Sequence, residues 1–356
     1  MLTDIFAYRY ANVPIWDGFK ERDRRFIVQA YRIIEEQLFQ PYTAAGKKND
    51  WADAKWKVLQ DRLSSELGLK ELSKRVVGYY AEFAGQRNWT TYTKPWNTVC
   101  EEFLCSDYDP NISPDEFIKI RLSFVEIAFR EKEQDLATRR TTGVSSADVL
   151  VAKLLAQGKQ QGPMSDRAYA LSRLLTDEGA FQASVDELNT RFQQAGYKLN
   201  YHNGYIQRSA DEQVEAQIET PFWALVADTK WRNVKTDMAT AIDARDTGGR
   251  DPAWHAAKAL ESTIKIISDD NGWTHGKENG PHNYIENLAS KKNGRFIEGW
   301  EMTSLKQFFT DVRRPLGHGA GSDEMPKLTD QQTNWAIEFC MTWVKSLIER
   351  TGNPAT

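Results

Sequence analysis

Apolar side chains recur at helical spacing through most of this chain, and that pattern constrains the fold more than any other feature. The segment from Phe19 to Leu38 shows it best, because its charged residues lie largely off one apolar stripe. The stripe consists of Phe26, Ile27, Ala30, Ile33, Ile34 and Leu38. We therefore expect a mainly α, multi-domain helical protein.

Two segments carry strong signals for the start of a helix. Ser113–Glu116 places a capping serine, then a proline at the first helical position, then a glutamate three residues after the cap. Thr329–Gln332 has a capping-box pattern and should open the last helix of the chain. For that last helix we expect a buried face formed by Trp335, Ala336, Phe339, Trp343 and Leu347.

One segment carries a good strand signal. Tyr197–Tyr201 and Tyr205–Arg208 flank the dipeptide Asn203-Gly204, which suits the positive φ angles of a tight hairpin turn. A small β-hairpin is therefore expected near residues 197–208, within an otherwise helical chain.

Composition shifts suggest three parts. A polar stretch after residue 131 is either a linker or an exposed helix end, and the turn-rich segment Asp246–Pro252 marks a second boundary. We expect an N-terminal helical domain over 1–135, a middle helical region with the hairpin over 136–245, and a C-terminal bundle of four to five helices over 246–356. The bundle helices are predicted to run from about Asp251 to Ile267, Pro281 to Ala289 and Thr303 to Val312, and onward from Thr329.

Charge and cysteine usage exclude several classes of protein. Lys and Arg number 46 against 50 Asp and Glu, so the net charge of −4 does not suit a protein that coats nucleic acid through its overall field. The three cysteines lack disulfide-framework and zinc-ligand spacing. No apolar run reaches the length of a bilayer span, so we expect a cytoplasmic protein with no membrane partner.

The common catalytic motifs are missing from the sequence. It contains no HExxH, GxxxxGK[ST], GxGxxG after a strand, GxSxG or paired CxxC, so zinc hydrolases, nucleoside triphosphatases, Rossmann enzymes and α/β-hydrolases lack their central feature. His275 and His282 lie in a turn-rich loop without a third close ligand, which does not favour a metal site. We expect neither a cofactor nor a metal.

The aromatic residues of the N-terminal region allow two interpretations. Their tryptophans could stack on nucleic-acid bases, although core packing is the more common use of such residues. These tryptophans are Trp51, Trp56, Trp89 and Trp96.

The segment Asp311–Gly321, DVRRPLGHGAG, combines residues suited to phosphodiester chemistry. It holds an always-protonated cation in Arg313, a group that titrates near neutral pH in His318, and glycines that let a substrate backbone approach. The alternative is a plain helix end, with arginines placed against the C-terminal dipole and an exposed histidine. Residue types alone favour that alternative.

A family resemblance favours the catalytic hypothesis. The segment from Asp251 to Arg350 resembles the abortive-infection C-terminal domain of the HEPN ribonuclease superfamily, through AAKALESTIK in its first helix, FFTDVR leading into GHG, and an aromatic final helix. The family motif is arginine, four to six residues, then histidine, and four residues separate Arg313 from His318. The chain departs from many members in having Arg314 and Pro315 after the motif arginine. Residues 1 to about 130 resemble AbiJ-type N-terminal domains, through MLTDIFAYRY and ERDRRFIVQ.

The resemblance implies a homodimer joined through the C-terminal domain, with both Arg–His pairs at one cleft, and metal-independent RNA cleavage that leaves a 2′,3′-cyclic phosphate. His318 would be the general base or acid, and Arg313 would bind and stabilise the phosphate. Asp311 would orient a histidine or, as we favour, cap its neighbours, and Glu261 is either a supporting polar group or a surface partner of Lys265. The supporting residues are Arg314, Gly317, Gly319, Glu261 and Asp311.

Three functional hypotheses remain open at this point. The first is a toxin-like endoribonuclease of bacterial anti-phage defence that cuts tRNA or other structured RNA and is controlled by a phage-derived trigger or an antitoxin. The second is a catalytically inactive HEPN protein that binds RNA or serves as a sensor or scaffold. The third is a metal-dependent nuclease.

Overall fold

Helices form most of the chain in the computed structural model, which confirms the mainly α fold. The structure describes residues 5–83, 86–139, 146–158, 166–208, 214–317 and 327–352. Contacts divide the chain into two units, one from Thr3 to Ile206 and one from Gln207 to Thr356. The three-part division with limits at residues 135 and 245 stays a prediction.

The first unit is organised around one long helix, α5, which is buried on most of its circumference. Ser113 Oγ accepts a hydrogen bond of 3.1 Å from the Glu116 N–H, so the predicted cap at the start of α5 is confirmed. Residues 131–139 of the polar stretch form the end of this helix. The helices are α1 (Phe6–Arg9), α2 (Glu21–Ile33), α3 (Asp50–Glu66), α4 (Trp96–Leu104), α5 (Pro114–Arg139), α6 (Ser146–Ala156) and α7 (Asp166–Gln194).

A buried ionic cluster fixes α1 against α5. The Glu126 carboxylate accepts hydrogen bonds of 2.9 and 2.6 Å from Arg9 and one of 2.7 Å from Arg130. It also accepts a 2.7 Å bond from the Ile206 N–H. All of these groups are buried, so the Glu126 carboxylate neutralises charge on both guanidinium groups away from water.

The predicted hairpin near residues 197–208 is confirmed, and a second hairpin was missed. Strands β3 (Leu199–His202) and β4 (Tyr205–Arg208) flank the turn at Asn203, whose φ is +46°. The missed hairpin pairs β1 (Val76–Phe83) with β2 (Gln86–Thr93) in antiparallel register. It escaped sequence analysis because side chains on both of its faces are exposed, so apolar and polar residues do not alternate.

The second unit is a helical bundle in which α10 lies at the centre, in contact with α9, α11 and α14. The buried face predicted for α10 is confirmed, since Ala256, Ala259, Leu260, Ile264 and Ile267 are fully buried. The helices are α8 (Thr220–Leu225), α9 (Arg232–Thr247), α10 (Pro252–Asp270), α11 (Pro281–Ala289), α12 (Gly299–Phe308), α13 (Arg314–Gly317) and α14 (Asp330–Gly352). A π turn, Phe309–Arg313, joins α12 to α13.

The last helix starts as predicted, and Ala336 and Leu347 of its predicted face are buried, but the three aromatic residues of that face lie outside the core. Thr329 and Gln332 exchange hydrogen bonds in a capping box. Trp335, expected in the core, is 52% exposed, and Phe339 and Trp343 are half-buried. The face that this helix packs against the bundle, with α10 as its main neighbour, consists of smaller side chains. The buried residues are Thr333, Ala336, Ile337, Cys340, Met341, Val344, Leu347 and Ile348.

The tryptophans of the first unit divide between core and surface. Trp56 is fully buried and Trp96 half-buried, as core packing predicts, whereas Trp51 and Trp89 are exposed. Throughout the described ranges, no helix combines the length and the apolar character needed to cross a membrane.

Candidate active site

A widened helical turn positions Arg313. The Arg314 N–H donates to the Phe309 carbonyl five residues earlier, which is the bond of a π turn. Pro315 explains this turn, because proline has no N–H for the Asp311 carbonyl and its ring would collide with that carbonyl in a regular α-helix. Single π turns are frequent at functional sites in proteins. The insertion ends at Arg313, the arginine that sequence analysis singled out.

The Arg313 guanidinium is held by Glu261 on the central helix α10. Arg313 Nη2 lies 3.1 Å from Glu261 Oε2, and the two side chains are 30% and 12% exposed. Lys265 Nζ lies 2.7 Å from the other carboxylate oxygen. Sequence analysis predicted the Glu261–Lys265 pair from its spacing, whereas the Arg313 contact joins residues too distant in sequence for spacing to indicate.

The Arg313 guanidinium has more N–H donors than the one that it uses in its bond to Glu261. A guanidinium carries five N–H groups, and Glu261 takes one of them. The Nε atom is buried, with no hydrogen-bond partner in the ranges that the structure describes. A cation that is anchored at one end and has donors to spare can bind a phosphate oxygen in a fixed orientation.

Three helical segments bring further polar groups beside Arg313, and sequence analysis did not foresee this grouping. Thr310, on the same π turn, has its hydroxyl 3.3 Å from His282 Nε2 on α11. Lys306 donates a 2.5 Å hydrogen bond to Glu286, and that bond, more than any other contact, holds the pKa of Glu286 below its usual value. In the sequence, this grouping corresponds to polar residues one turn apart on α11 and on α12. Such a pattern does not by itself indicate a catalytic function.

The remaining predicted site residues are only partly brought together. Arg314 is exposed. Asp311 is also exposed, and its carboxylate accepts a hydrogen bond from Gln307 one turn earlier, which agrees with the local role favoured for it. Gly317 is the last residue of α13, and His318 and Gly319 lie outside the described residues. The distance between Arg313 and His318 therefore stays a prediction.

An aromatic stripe runs along α14 beside the segment that carries Arg313. Phe308, at the end of α12, stacks on Phe339 with ring centroids 4.6 Å apart and lies 6.0 Å from Trp335. Trp343 extends the stripe by one turn, 6.2 Å from Phe339. These aromatic side chains form a continuous, partly exposed apolar surface.

The loop histidine His275 takes part in local structure. Its backbone N–H donates a 2.8 Å hydrogen bond to Glu278. This bond, with others to the same carboxylate, lowers the pKa of Glu278 to about 2. In the described part of the chain, no group of three histidine, cysteine or acidic side chains is placed to hold a metal ion.

A comparison with known proteins identifies the class of protein to which this chain belongs. Residues 4–224 match the family model described as AbiJ N-terminal domain 4, which places the chain among abortive-infection proteins of phage defence. The chain belongs to the AbiJ N-terminal domain 4 family. The predicted AbiJ-type N-terminus is thus confirmed, over a longer segment than the 130 residues expected. No curated protein and no solved structure matches the chain.

Proposed function

We propose that the chain is a metal-independent endoribonuclease, the effector of an abortive-infection system, with its cleavage site in the second unit. The bundle would be a HEPN domain that cuts tRNA or another structured RNA. Its activity would be released by a phage-derived trigger or restrained by an antitoxin. The AbiJ N-terminal family supports the defence role, and the HEPN resemblance of the bundle supports the chemistry.

The observation that carries the proposal is the anchored guanidinium of Arg313. A ribonuclease that works without metal needs a cation whose position is fixed before the phosphate arrives. Glu261 supplies that fixation from the central helix, and the π turn directs Arg313 toward it.

The chemistry proposed for the site is an internal transfer. His318 would remove the proton of a ribose 2′-hydroxyl, and the 2′ oxygen would form a bond to the adjacent phosphorus. Arg313 would stabilise the added negative charge on the phosphoryl oxygens. The bond to the 5′ oxygen then breaks, and this oxygen takes a proton from an imidazolium. The products are a 2′,3′-cyclic phosphate and a 5′-hydroxyl, and two imidazoles in a dimer would serve the two proton transfers.

The aromatic stripe of α14 supports the homodimer in this proposal. Trp335 is 52% exposed although it lies on a helix that packs its other face in the core. Exposed aromatic surface of this kind is typical of protein–protein contacts. Phe308 belongs both to the stripe and to the segment that leads into Arg313, so a symmetric contact through the stripe would bring two copies of Arg313 toward the same edge.

The test compares the wild type with Arg313→Ala and His318→Ala in cleavage of total RNA, followed by sequencing of the ends that carry a cyclic phosphate. Both variants should lose cleavage by at least about a hundredfold, as expected when a general base or an oxyanion-stabilising group is removed. Matched controls are Arg250→Ala and His275→Ala, because both residues are exposed in the same unit.

Each outcome separates one hypothesis from another. Cleavage by His318→Ala at the wild-type rate would overturn the assignment of the base. Loss of wild-type cleavage on chelation by EDTA would favour the metal-dependent nuclease. RNA binding without any cleavage by the wild type would favour the catalytically inactive binding or scaffold protein.

A further inference from the structure

The β1–β2 hairpin exposes four large aromatic side chains in the first unit. Tyr79, Tyr80, Trp89 and Tyr92 are between 49% and 60% exposed. Aromatic residues are usually placed in the core, where their large apolar area leaves water. A cluster of exposed rings on one two-stranded element therefore points to a surface that binds something.

The antiparallel register sorts these rings onto both faces of the ribbon. Tyr80 is paired with Trp89, and their ring centroids lie 4.9 Å apart. Arg87, two residues before Trp89 on the same face, holds its guanidinium 4.6 Å from the Tyr80 ring. Val77 is paired with Tyr92 on the opposite face, where Tyr79 lies diagonal to Tyr92. Each face thus presents aromatic rings.

Gly78 allows Trp89 to lie flat on the ribbon. A Cβ atom at position 78 would come within 1.9 Å of Trp89 Cζ2, so only glycine leaves room for the indole where it stands. The indole is held over the backbone and against Tyr80 while most of its surface stays in solvent. This arrangement builds a platform of fixed rings on one face of the hairpin.

The hairpin is basic in a chain that is acidic overall. The segment Ser73–Pro95 carries four basic residues and one acidic residue, whereas the whole chain has a net charge of −4. Lys94 is paired with Glu102, and Arg75 is stacked on Trp96. Lys74, before β1, and Arg87, at the start of β2, are exposed. Positive charge thus lies toward both ends of the aromatic surface, and Glu82, the one acidic residue, is the cross-strand neighbour of Arg87.

We propose that the face of the β1–β2 hairpin that carries Tyr80 and Trp89 binds single-stranded RNA, with unpaired bases stacked on these two rings and with Lys74 and Arg87 facing the phosphates. A nucleic-acid strand offers flat rings and regular negative charge together, which is the combination that this surface complements. A neutral protein surface would match the rings alone. Only the choice of RNA over DNA rests on the proposed function.

The test uses the full chain in an Arg313→Ala background, so that the RNA is not cut. The probe is a fluorescein-labelled oligouridine of about 12 nucleotides, a length within the range that such stacking surfaces cover. Fluorescence anisotropy at about 0.15 M salt, the physiological ionic strength, measures Kd. Tyr80→Ala with Trp89→Ala should raise Kd roughly tenfold or more, as expected for the loss of base stacking. Arg87→Gln should reduce the salt dependence of Kd.

The matched control is Tyr169→Ala, because Tyr169 is 51% exposed in the same unit but lies away from the hairpin in sequence. Kd should stay unchanged in this variant, and far-ultraviolet circular dichroism should be equal in all variants. Equal Kd values for the wild-type hairpin and the double variant would overturn the proposal. So would equal competition by an RNA duplex of the same length, whose bases are already stacked.

A second readout separates this proposal from its competitors. If the double variant changes the oligomeric state in sedimentation instead of Kd, the hairpin is a contact between protein chains and the RNA proposal is wrong. If wild-type protein cuts no RNA but the hairpin variants still weaken oligouridine binding, the proposed nuclease fails and the hairpin proposal stands.

Discussion

Arg313 donates a 3.1 Å hydrogen bond to Glu261, which precedes it by 52 residues and lies on the central helix of the second unit. This bond connects two parts of the bundle. One is the segment that leads to the predicted catalytic histidine, and the other is α10, the most buried helix of the bundle. Lys265 holds the same carboxylate from the other side, so Glu261 is itself fixed. The orientation of Arg313 therefore depends on a residue that need not touch RNA.

Glu261→Ala should lower RNA cleavage roughly tenfold, equivalent to about 1.4 kcal/mol, because the guanidinium loses its anchor. Glu261→Gln keeps a hydrogen-bond acceptor and should restore most of the rate. Single-turnover cleavage of labelled RNA checks both variants. Asp270→Ala, which breaks an exposed ion pair with Lys230 in the same unit, is the control and should keep the wild-type rate. A glutamine variant as slow as the alanine variant would contradict the positioning role.

Glu126→Ala should destabilise the first unit by about 3–5 kcal/mol, because it removes a buried carboxylate that accepts hydrogen bonds from both Arg9 and Arg130. Urea denaturation measures the free energy of unfolding. Glu36→Ala breaks an exposed pair with Arg32 on the same unit and should cost less than about 1 kcal/mol. Similar losses in the two variants would show that the buried cluster is not a special source of stability.

Gly78→Ala should displace the Trp89 indole, because the added methyl group would occupy its place. The exposed hairpin can release the ring into solvent, so the thermal midpoint should change little while the near-ultraviolet circular dichroism signal changes. Oligouridine binding should weaken along with that signal. Gly18→Ala is the control, because a methyl group at this position would meet open space. Gly68→Ala would not serve as a control, because the φ of +66° at this position would add backbone strain. An unchanged Trp89 spectrum would contradict the close packing.

Stability below pH 4.5 should depend on Glu301 in the second unit. Burial alone would raise the pKa of this carboxyl, but hydrogen bonds from Arg350 and from the Glu298 N–H lower it overall. Because the folded-state pKa lies below the ordinary value of 4.5, this stabilisation is full above pH 4.5 and is lost as pH falls through the folded-state pKa. Glu301→Gln should flatten the acid side of the unfolding curve. Glu349→Gln, on the exposed side of α14, should leave that slope unchanged.

Trp335→Glu should convert the protein toward monomer if the aromatic stripe forms the dimer contact, because a carboxylate does not pack among Phe308, Phe339 and the same rings of a second copy. Sedimentation velocity across a concentration series gives the oligomeric state. Tyr42→Glu, at a residue 56% exposed in the first unit, is the control. A wild type that is monomeric at all concentrations would contradict the dimer directly.

Local patterns allowed much of the fold to be predicted. The cap at Ser113, the capping box at Thr329 and the turn at Asn203 each depend on neighbours within a few residues, and each was confirmed. The β1–β2 hairpin was missed because its side chains are exposed on both faces. A strand is recognised in a sequence chiefly by the alternation of apolar and polar residues that one buried face produces.

The site was less accessible to sequence analysis than the fold. Arg313 was found from its motif, but its bond to Glu261 and the contact between His282 and Thr310 join helices that only tertiary packing brings together. Trp335 was assigned to the core because helical spacing gives only the relative positions of residues around the helix axis. It does not show which side of the helix faces the core. Packing against α10 decides which side faces inward, and α10 is a different segment of the chain.

The bond from Arg9 to the Ile206 carbonyl has a consequence for synthesis. The donor is synthesised 197 residues before the acceptor, so the first unit cannot complete its core until residue 206 has left the ribosome. At roughly 5–20 residues per second, this interval lasts on the order of ten to forty seconds. Nascent chains of this protein should remain sensitive to proteases, and dependent on chaperones, until the β3–β4 hairpin has emerged.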